Sequence, residues 1–272
     1  MIATGLLASA VRSGPPAWLR RSFGRAALAI VLPLAVLLVW TASARWGWLP
    51  QQILPSPIEV WQSFVDLAGS GELLHHTDVS LLRVVYGFAA GAGAGLLLGT
   101  AMGLSPTVED YVKPLFTALA QVPTLGWIPL LMLLVGIDET LKIVIIAKAA
   151  FVPITINTAA GMRAVPRGLV EVAESFRFSR FQLLRKVAFP AAVPQIFTGI
   201  RYGLTHAWMA LVGVELLASS EGLGYLLVWS RQMFWLDQMI VGMLVIGLVG
   251  LLMDAILGLV EARLQRWRVA GL

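Results

Sequence analysis

Residues 171–194 read "EVAESFRFSRFQLLRKVAFPAAVP". The stretch holds Glu171 and Glu174, four basic residues (Arg177, Arg180, Arg185, Lys186) and two prolines, Pro190 and Pro194. The surrounding chain of 272 residues is 58% hydrophobic and only 13% charged, with a mean hydropathy of +0.82. A water-soluble domain of this length cannot hide so much apolar surface, so the composition defines an integral membrane protein. The charged stretch then lies outside the bilayer, between one apolar span and the next.

Crossing a bilayer takes about 20 apolar residues in a helix. Six segments qualify, near 26–44, 79–103, 112–136, 141–161, 191–216 and 239–260. The third carries Pro114, Pro123 and Pro129 with Gly126, which predicts a broken or kinked helix. With the amino terminus in the cytosol, the cytoplasmic segments hold Arg12, Arg20, Arg21, Arg25, Lys113, Arg163, Arg167, Arg177, Arg180, Arg185, Lys186, Arg263, Arg266 and Arg268. Only Arg45, Lys142 and Arg231 fall outside, while Arg83, Lys148 and Arg201 lie within spans. Basic residues concentrate on the cytoplasmic side. The net charge of +5 is therefore a topology signal, and nucleic acid is not an expected partner.

The amino-terminal "MIATGLLASAVRSGPPAWLRRSFGR" lacks the order of a cleaved signal peptide. The expected organisation is an all-α membrane protein with about six transmembrane helices and both termini cytoplasmic. A tail over 1–25 precedes a transmembrane domain over 26–262, and a second tail covers 263–272. In the first outer loop, Ile58, Trp61, Phe64, Val65 and Ala68 predict a short amphipathic helix at the membrane interface. Trp46, Trp48, Trp229, Phe234 and Trp235 fall where an outer aromatic belt is expected.

The cytoplasmic loop has more order than a charged anchor needs. In "GLVEVAESF", Leu169, Val172, Ala173 and Phe176 share one helical face. After "RFS" a second run places Phe181, Leu184 and Val187 in register, and Pro190 is expected to end it before the next span. Two short helices form an elbow over 165–190 whose apolar stripe faces the cytosol, and such a stripe calls for a partner.

This loop resembles that of the inner-membrane permeases of binding-protein-dependent ABC importers. Their pattern is Glu-Ala-Ala, three residues, Gly, nine residues, then Ile-x-Leu-Pro. Here Glu171, Val172 and Ala173 are followed at the same spacing by Arg177, and then by Val187, Ala188, Phe189 and Pro190. Arg177 stands where the family has the glycine of the bend, which implies a different turn or a compensating charge contact. Further stretches are similar to the aliphatic sulfonate, taurine and nitrate branch: "ILPSPIEV", "GELLHHTDVSLLRVVYGF", "PLLMLLVGIDETLKI", "RGLVEVAESF" and "GIRYGLTHAWMALVGVELLASSEGLGYLL". General resemblance places the sulfonate permeases nearest.

The resemblance implies a type I importer permease of the bacterial inner membrane. It implies a homodimer in membrane lipid, two cytosolic ATPases below and an extracytoplasmic solute-binding protein above. Glu171, Val172, Ala173, Phe176, Arg177, Phe181 and Pro190 would form the ATPase-coupling site. ATP and magnesium would belong to the partner ATPase, with no cofactor on this chain. The implied cargo is a small anion, first an aliphatic sulfonate, with taurine and nitrate as alternatives.

Within the spans, Gly87, Gly91, Gly95, Gly99 and Gly103 recur every four residues, a pattern that lets helix backbones approach. Lys148 sits inside the fourth span. Either it lines an anion path, or it snorkels or pairs with an acid. Asn157 and Thr155 nearby offer hydrogen bonds to a substrate or to a neighbouring helix. Arg201 presents two parallel donors to an oxyanion or to a structural acid, and His206 on the same span is a packing group or a path residue. His75, His76 and Asp78 lack metal-ligand spacing, so no metal is expected. Without cysteine, a P-loop, H-E-x-x-H or a nucleophile elbow, no enzyme chemistry is expected either. The rival readings are a stand-alone secondary transporter or channel, which needs ion-coupling groups but no elbow, and a membrane-embedded enzyme.

Overall fold

The structure is a computed structural model describing residues 17–50 and 53–265. Parts of the expected tails, 1–16 and 266–272, lie outside the described residues, and so do Arg12, Arg266 and Arg268. The chain forms two compact units that meet at Glu59 and Val60.

In the first unit, α1 (Ala17–Trp46) is helical through Pro33, so residues 17–25 of the expected tail belong to a helix. The Trp40 indole donates to the Pro55 carbonyl at 2.9 Å. Helix α2 (Pro57–Gly69), most of which belongs to the second unit, starts on a capping box: the Ser56 amide donates to Glu59, and the Glu59 amide to Ser56. Along α2, Val60 and Leu67 are buried, while Ile58, Trp61 and Val65 of the expected interfacial stripe face outward.

The second unit is built on α3 (Glu72–Leu104), α6 (Glu139–Arg163) and α9 (Phe189–Ala218). Between the first two lie α4 (Pro106–Gln121), a 3₁₀ turn (Thr124–Trp127) and α5 (Ile128–Val135). The two halves of this third segment meet at 91°. The break falls where Pro123 denies the helix a donor and Val122 turns extended. Next come α7 (Arg167–Ser175), α8 (Arg180–Leu183) and a π-helical turn (Leu184–Ala188) that runs into α9. The bundle closes with α10 (Leu223–Gln232) and α11 (Leu236–Leu264). Three helices, α3, α6 and α11, are long and apolar enough to span a bilayer alone, and two bent pairs raise the number to as many as five. Ile30–Trp46 adds a shorter apolar helix.

Between helices in lipid there is no water to expel, so close packing holds them together. Helix α6 is the central element, with Leu141, Ile145, Ile146, Ala150 and Ile154 fully enclosed. Gly87, Gly91, Gly95, Gly99 and Gly103 on α3 all face α6, in parallel order along the two helices. A Cβ on Gly91 would overlap the Ala147 carbonyl, and one on Gly87 would lie 2.6 Å from the Cβ of Ile146. On an adjoining face of α6, a Cβ on Gly199 would meet Asn157 at 2.6 Å, and one on Gly203 would meet Ile154 at 2.7 Å. Helix α11 buries only Val241 and Gly242 and turns Leu244, Leu248, Leu251, Ile256 and Leu259 outward. A helix apolar on all sides with so little packed against its own chain suits a lipid surrounding.

Candidate functional site

The elbow is built from two caps. Helix α7 ends in a Schellman closure: the Phe178 amide donates to Ala173 at 3.0 Å and the Arg177 amide to Glu174 at 2.8 Å. That closure needs a left-handed residue, and Arg177 supplies it with φ 54°. Of the two alternatives expected at this position, a different turn or a compensating charge contact, the turn is left unchanged: an arginine keeps the left-handed bend. A non-glycine residue in this region costs about 1–2 kcal/mol. Ser179 then starts α8 with a reciprocal capping box to Gln182.

Pro190 does not end the second helical run, contrary to the sequence expectation. The chain stays helical from Arg180 to Ala218, because the π turn at 184–188 resets the hydrogen-bond register just before Pro190. Pro190 thus occupies the first turn of α9, where a missing donor is tolerated.

Helix α7 folds back toward the start of α9 and leaves a groove of about 440 Å³, lined by Leu169, Val172, Ala173, Phe176, Val187 and Pro190 among others. Ala173 is buried, but Val172 is 56% and Phe176 74% exposed. Lys186 lies over the Phe178 ring, 5.4 Å from its centroid, and bounds the groove with a cation. Phe181 is also exposed, away from the groove. Glu171 contributes its carbonyl to the Ser175 hydroxyl within α7.

At the end of the bundle remote from the elbow lies a polar cluster that sequence reading did not assemble. Arg83, 4% exposed, donates through Nε and Nη2 to both oxygens of Glu139, at 2.7 and 2.6 Å. Its Nη1 donates to Glu215 Oε1 at 2.8 Å and to the Glu221 carbonyl at 2.7 Å. Glu215, itself enclosed, also accepts from Ser80 and from the Gly224 amide at 2.9 Å. The Gly222 amide donates to His76 Nδ1 at 3.0 Å, and Lys142 adds a second cation on Glu139 at 2.6 Å. Gly222, at φ 107°, passes so close to Glu215 that a Cβ would overlap its carboxylate. The loop at 219–224 is therefore tied to α3 and α9 by charge-assisted bonds. Depth offered a signal, since Arg83 and Glu215 are opposite charges near the expected outer ends of their spans.

The expected path residues do not converge. Arg201 forms a two-pronged pair with Asp254, 2.7 Å on both arms, and reaches Glu261 at 3.5 Å. Asn157 bridges α6 and α9 by accepting from Gln195 at 2.9 Å and donating to Pro153 at 2.8 Å. Thr155 donates to the Phe151 carbonyl of its own helix. His206 Nδ1 lies 2.8 Å from the Tyr202 carbonyl. Lys148 reaches across to the helix break, donates to the Val122 carbonyl at 2.8 Å, and stands 5.5 Å from the Trp127 ring centroid. Among the described residues no cluster of His, Cys, Asp and Glu could hold a metal ion.

A polytopic helical bundle with a parallel glycine seam, a broken third segment and an amphipathic elbow defines the class as a multi-pass helical membrane protein. The chain belongs to the family described as binding-protein-dependent transport system inner membrane component, which matches residues 91–266. Among curated relatives, it is 38% identical over 239 residues to a protein of Bacillus subtilis named as an aliphatic sulfonates transport permease, SsuC, covering 88% of this chain and 87% of that one. The Escherichia coli protein of the same name is also 38% identical, over 88% of this chain and 91% of the relative. The taurine transport system permease protein TauC of Escherichia coli is 35% identical, over 86% and 87%. Among solved structures, an amino acid ABC transporter aligns with a TM-score of 0.57 at 14% identity, covering 78% of this chain and 96% of that one. The MetNI methionine ABC transporter, in an inward-facing conformation, aligns at 0.54 and 16% identity, over 75% and 94%. At such low identity these two likenesses speak to the fold alone. The protein is thus an ABC importer permease, a multi-pass component of the inner membrane, and its relatives are transport permeases rather than enzymes.

Proposed function

We propose that this chain forms the translocation path of an ATP-driven importer for a small organic anion, an aliphatic sulfonate first, and takes its drive through residues 171–190. Two copies pair in the membrane, each with six spans and both termini in the cytosol. Each elbow seats in one of two cytosolic ATPases, while a solute-binding protein delivers cargo on the opposite face. ATP binding closes the ATPases and carries the elbows with them, opening the spans outward, and hydrolysis resets them. The observation that carries this reading is the elbow itself. It combines an exposed apolar stripe, a groove of about 440 Å³ and a capped, rigid turn, on a segment that continues without interruption into α9. A displacement imposed on α8 therefore reaches the bundle core as a rigid-body movement. The names of the curated relatives favour sulfonate over taurine or nitrate.

The test is uptake of radiolabelled butanesulfonate into proteoliposomes carrying the complete complex with its binding protein. Uptake requires internal ATP and stops when the ATPase is omitted. Uptake driven by an ion gradient without the ATPase contradicts the proposal and supports a secondary transporter. Preference for taurine or nitrate revises the cargo alone.

A further inference from the structure

Between α9 and α10 the chain turns back through residues 219–224, and side chains hold three of its backbone amides in a row. The Gly222 amide donates to His76 Nδ1 at 3.0 Å, the Leu223 amide to the Ser80 hydroxyl at 2.9 Å and the Gly224 amide to the Glu215 carboxylate at 2.9 Å. Arg83 adds a bond to the Glu221 carbonyl at 2.7 Å. The first amides of a helix have no partner within it, so α3 and α9 cap α10 from outside. His76, Ser80 and Arg83 stand at i, i+4 and i+7, on one face of α3.

The bond to Gly222 fixes the state of the His76 ring. A backbone N–H only donates, so Nδ1 offers its lone pair, and the buried imidazole is neutral with its proton on Nε2. Nε2 faces Glu72, 4.0 Å away. An imidazolium carries protons on both nitrogens, and its Nδ1–H would oppose the Gly222 N–H, donor against donor. A proton and the turn therefore compete for one lone pair. The other charged or titratable groups around the ring are His75 and Arg83 on α3, Glu221 in the turn and Tyr225 on α10, with Glu215 of α9 against Gly222. Glu72 and Glu221 draw a proton toward the ring, and Arg83 repels it. His75 meets the turn through the Glu221 side chain, 3.5 Å away.

We propose that His76 is an acid-sensitive latch on the 219–224 turn: the neutral ring holds the turn against α3, and a proton on Nδ1 releases the Gly222 amide and loosens the start of α10. Imidazole changes charge between about pH 5 and 8, so the latch works in a range that the surroundings of a cell reach. Opening takes up one proton, and acid therefore favours it. The turn ends the helical run that begins at the elbow, from Arg180 to Ala218, so release frees the far end of that run. In the proposed topology this end faces the extracytoplasmic side, where external pH acts on it directly. That consequence rests on the topology, and the latch itself does not.

The test is hydrogen exchange of the full-length chain in nanodiscs, read by mass spectrometry between about pH 8 and pH 5 and corrected for the intrinsic pH dependence of exchange. In the wild type, protection of the peptide covering 219–226 falls about tenfold for each pH unit below the ordinary imidazole value of about 6.5. Peptides from the middle of α6 keep theirs. His76→Asn offers an amide oxygen as acceptor and has no titrating ring, so its protection does not follow pH. A second readout needs no variant. The chain has three histidines, and ¹⁵N spectra of the ring nitrogens report their tautomers. One ring shows the Nε2–H tautomer at neutral pH and gains its second proton over the range in which the turn loses protection.

Protection of the turn that stays constant in the wild type overturns the proposal. So does a pH response that persists in His76→Asn, which would assign it to Glu215 or His75. A His76 ring protonated on Nδ1 while the turn is protected overturns it as well. Neither measurement involves ATP or cargo, so the latch and the importer reading fall separately.

Discussion

The seam between α3 and α6 and the elbow at 167–190 put apolar surface to opposite uses. Along the seam, side chains are pared to glycine until the two backbones touch, and nothing is left to offer a partner. At the elbow, Val172, Phe176 and Phe181 stand out from the chain with no cover of their own. One region is closed by packing, and the other has kept an unfilled surface. A permease driven from outside needs both, because force applied at a loop reaches the path only if the helices behind it move as a body.

The largest effect should come from breaking the seam. Gly91→Leu drives a side chain into the Ala147 backbone and is expected to cost well above ~4 kcal/mol, in the range where single substitutions abolish folding. Size-exclusion profiles of a fluorescent fusion should show no monodisperse peak, whereas Gly93→Leu, at an open position on the same helix, should give the wild-type profile. A normal profile for Gly91→Leu contradicts the packing described.

Next in size is the cluster around Arg83. Arg83→Met leaves the enclosed Glu215 without its cation and is expected to destabilise by about 3–5 kcal/mol. Pairing it with Glu215→Met should recover much of that loss in thermal unfolding. Additive losses in the double variant would show that the two residues are not coupled.

At the elbow the order of effects reverses, with little stability at stake. Phe176→Asp replaces an exposed side chain, so the unfolding midpoint should stay within about 0.5 kcal/mol of wild type while ATPase association is lost. Smallest of all is Arg177→Gly, which relieves the left-handed strain by about 1 kcal/mol and should leave coupling intact. Circular dichroism melts of the purified chain and ATPase binding check the two halves of that expectation, and a destabilised Arg177→Gly would refute the strain assigned to φ 54°.

What the sequence made legible follows from how local each signal is. The glycine interval along α3 and the stripe Leu169, Val172, Ala173, Phe176 are periodicities within one helix, and both show directly in the letters. Proline marked the break after Val122 for the same reason. Pro190 misled, because a π turn upstream absorbed the missing donor and let the helix run on. At Arg177 the letters left the turn open, since the Schellman bonds can hold a non-glycine residue in the left-handed region. The cluster around Arg83 joins residues 56 and 132 positions apart, and no local pattern encodes that pairing. Lys148 was visible as an embedded charge, but its hydrogen bond to the Val122 carbonyl at the helix break became apparent only in the fold.

The most direct test of the coupling claim is native mass spectrometry of the complex extracted in mild detergent from its own host. The account predicts two copies of this chain with two copies of a P-loop ATPase, and a Phe176→Asp form that keeps the membrane dimer and loses the ATPase. A wild-type chain that emerges folded and without a nucleotide-binding partner, or a Phe176→Asp complex that stays whole, would contradict it.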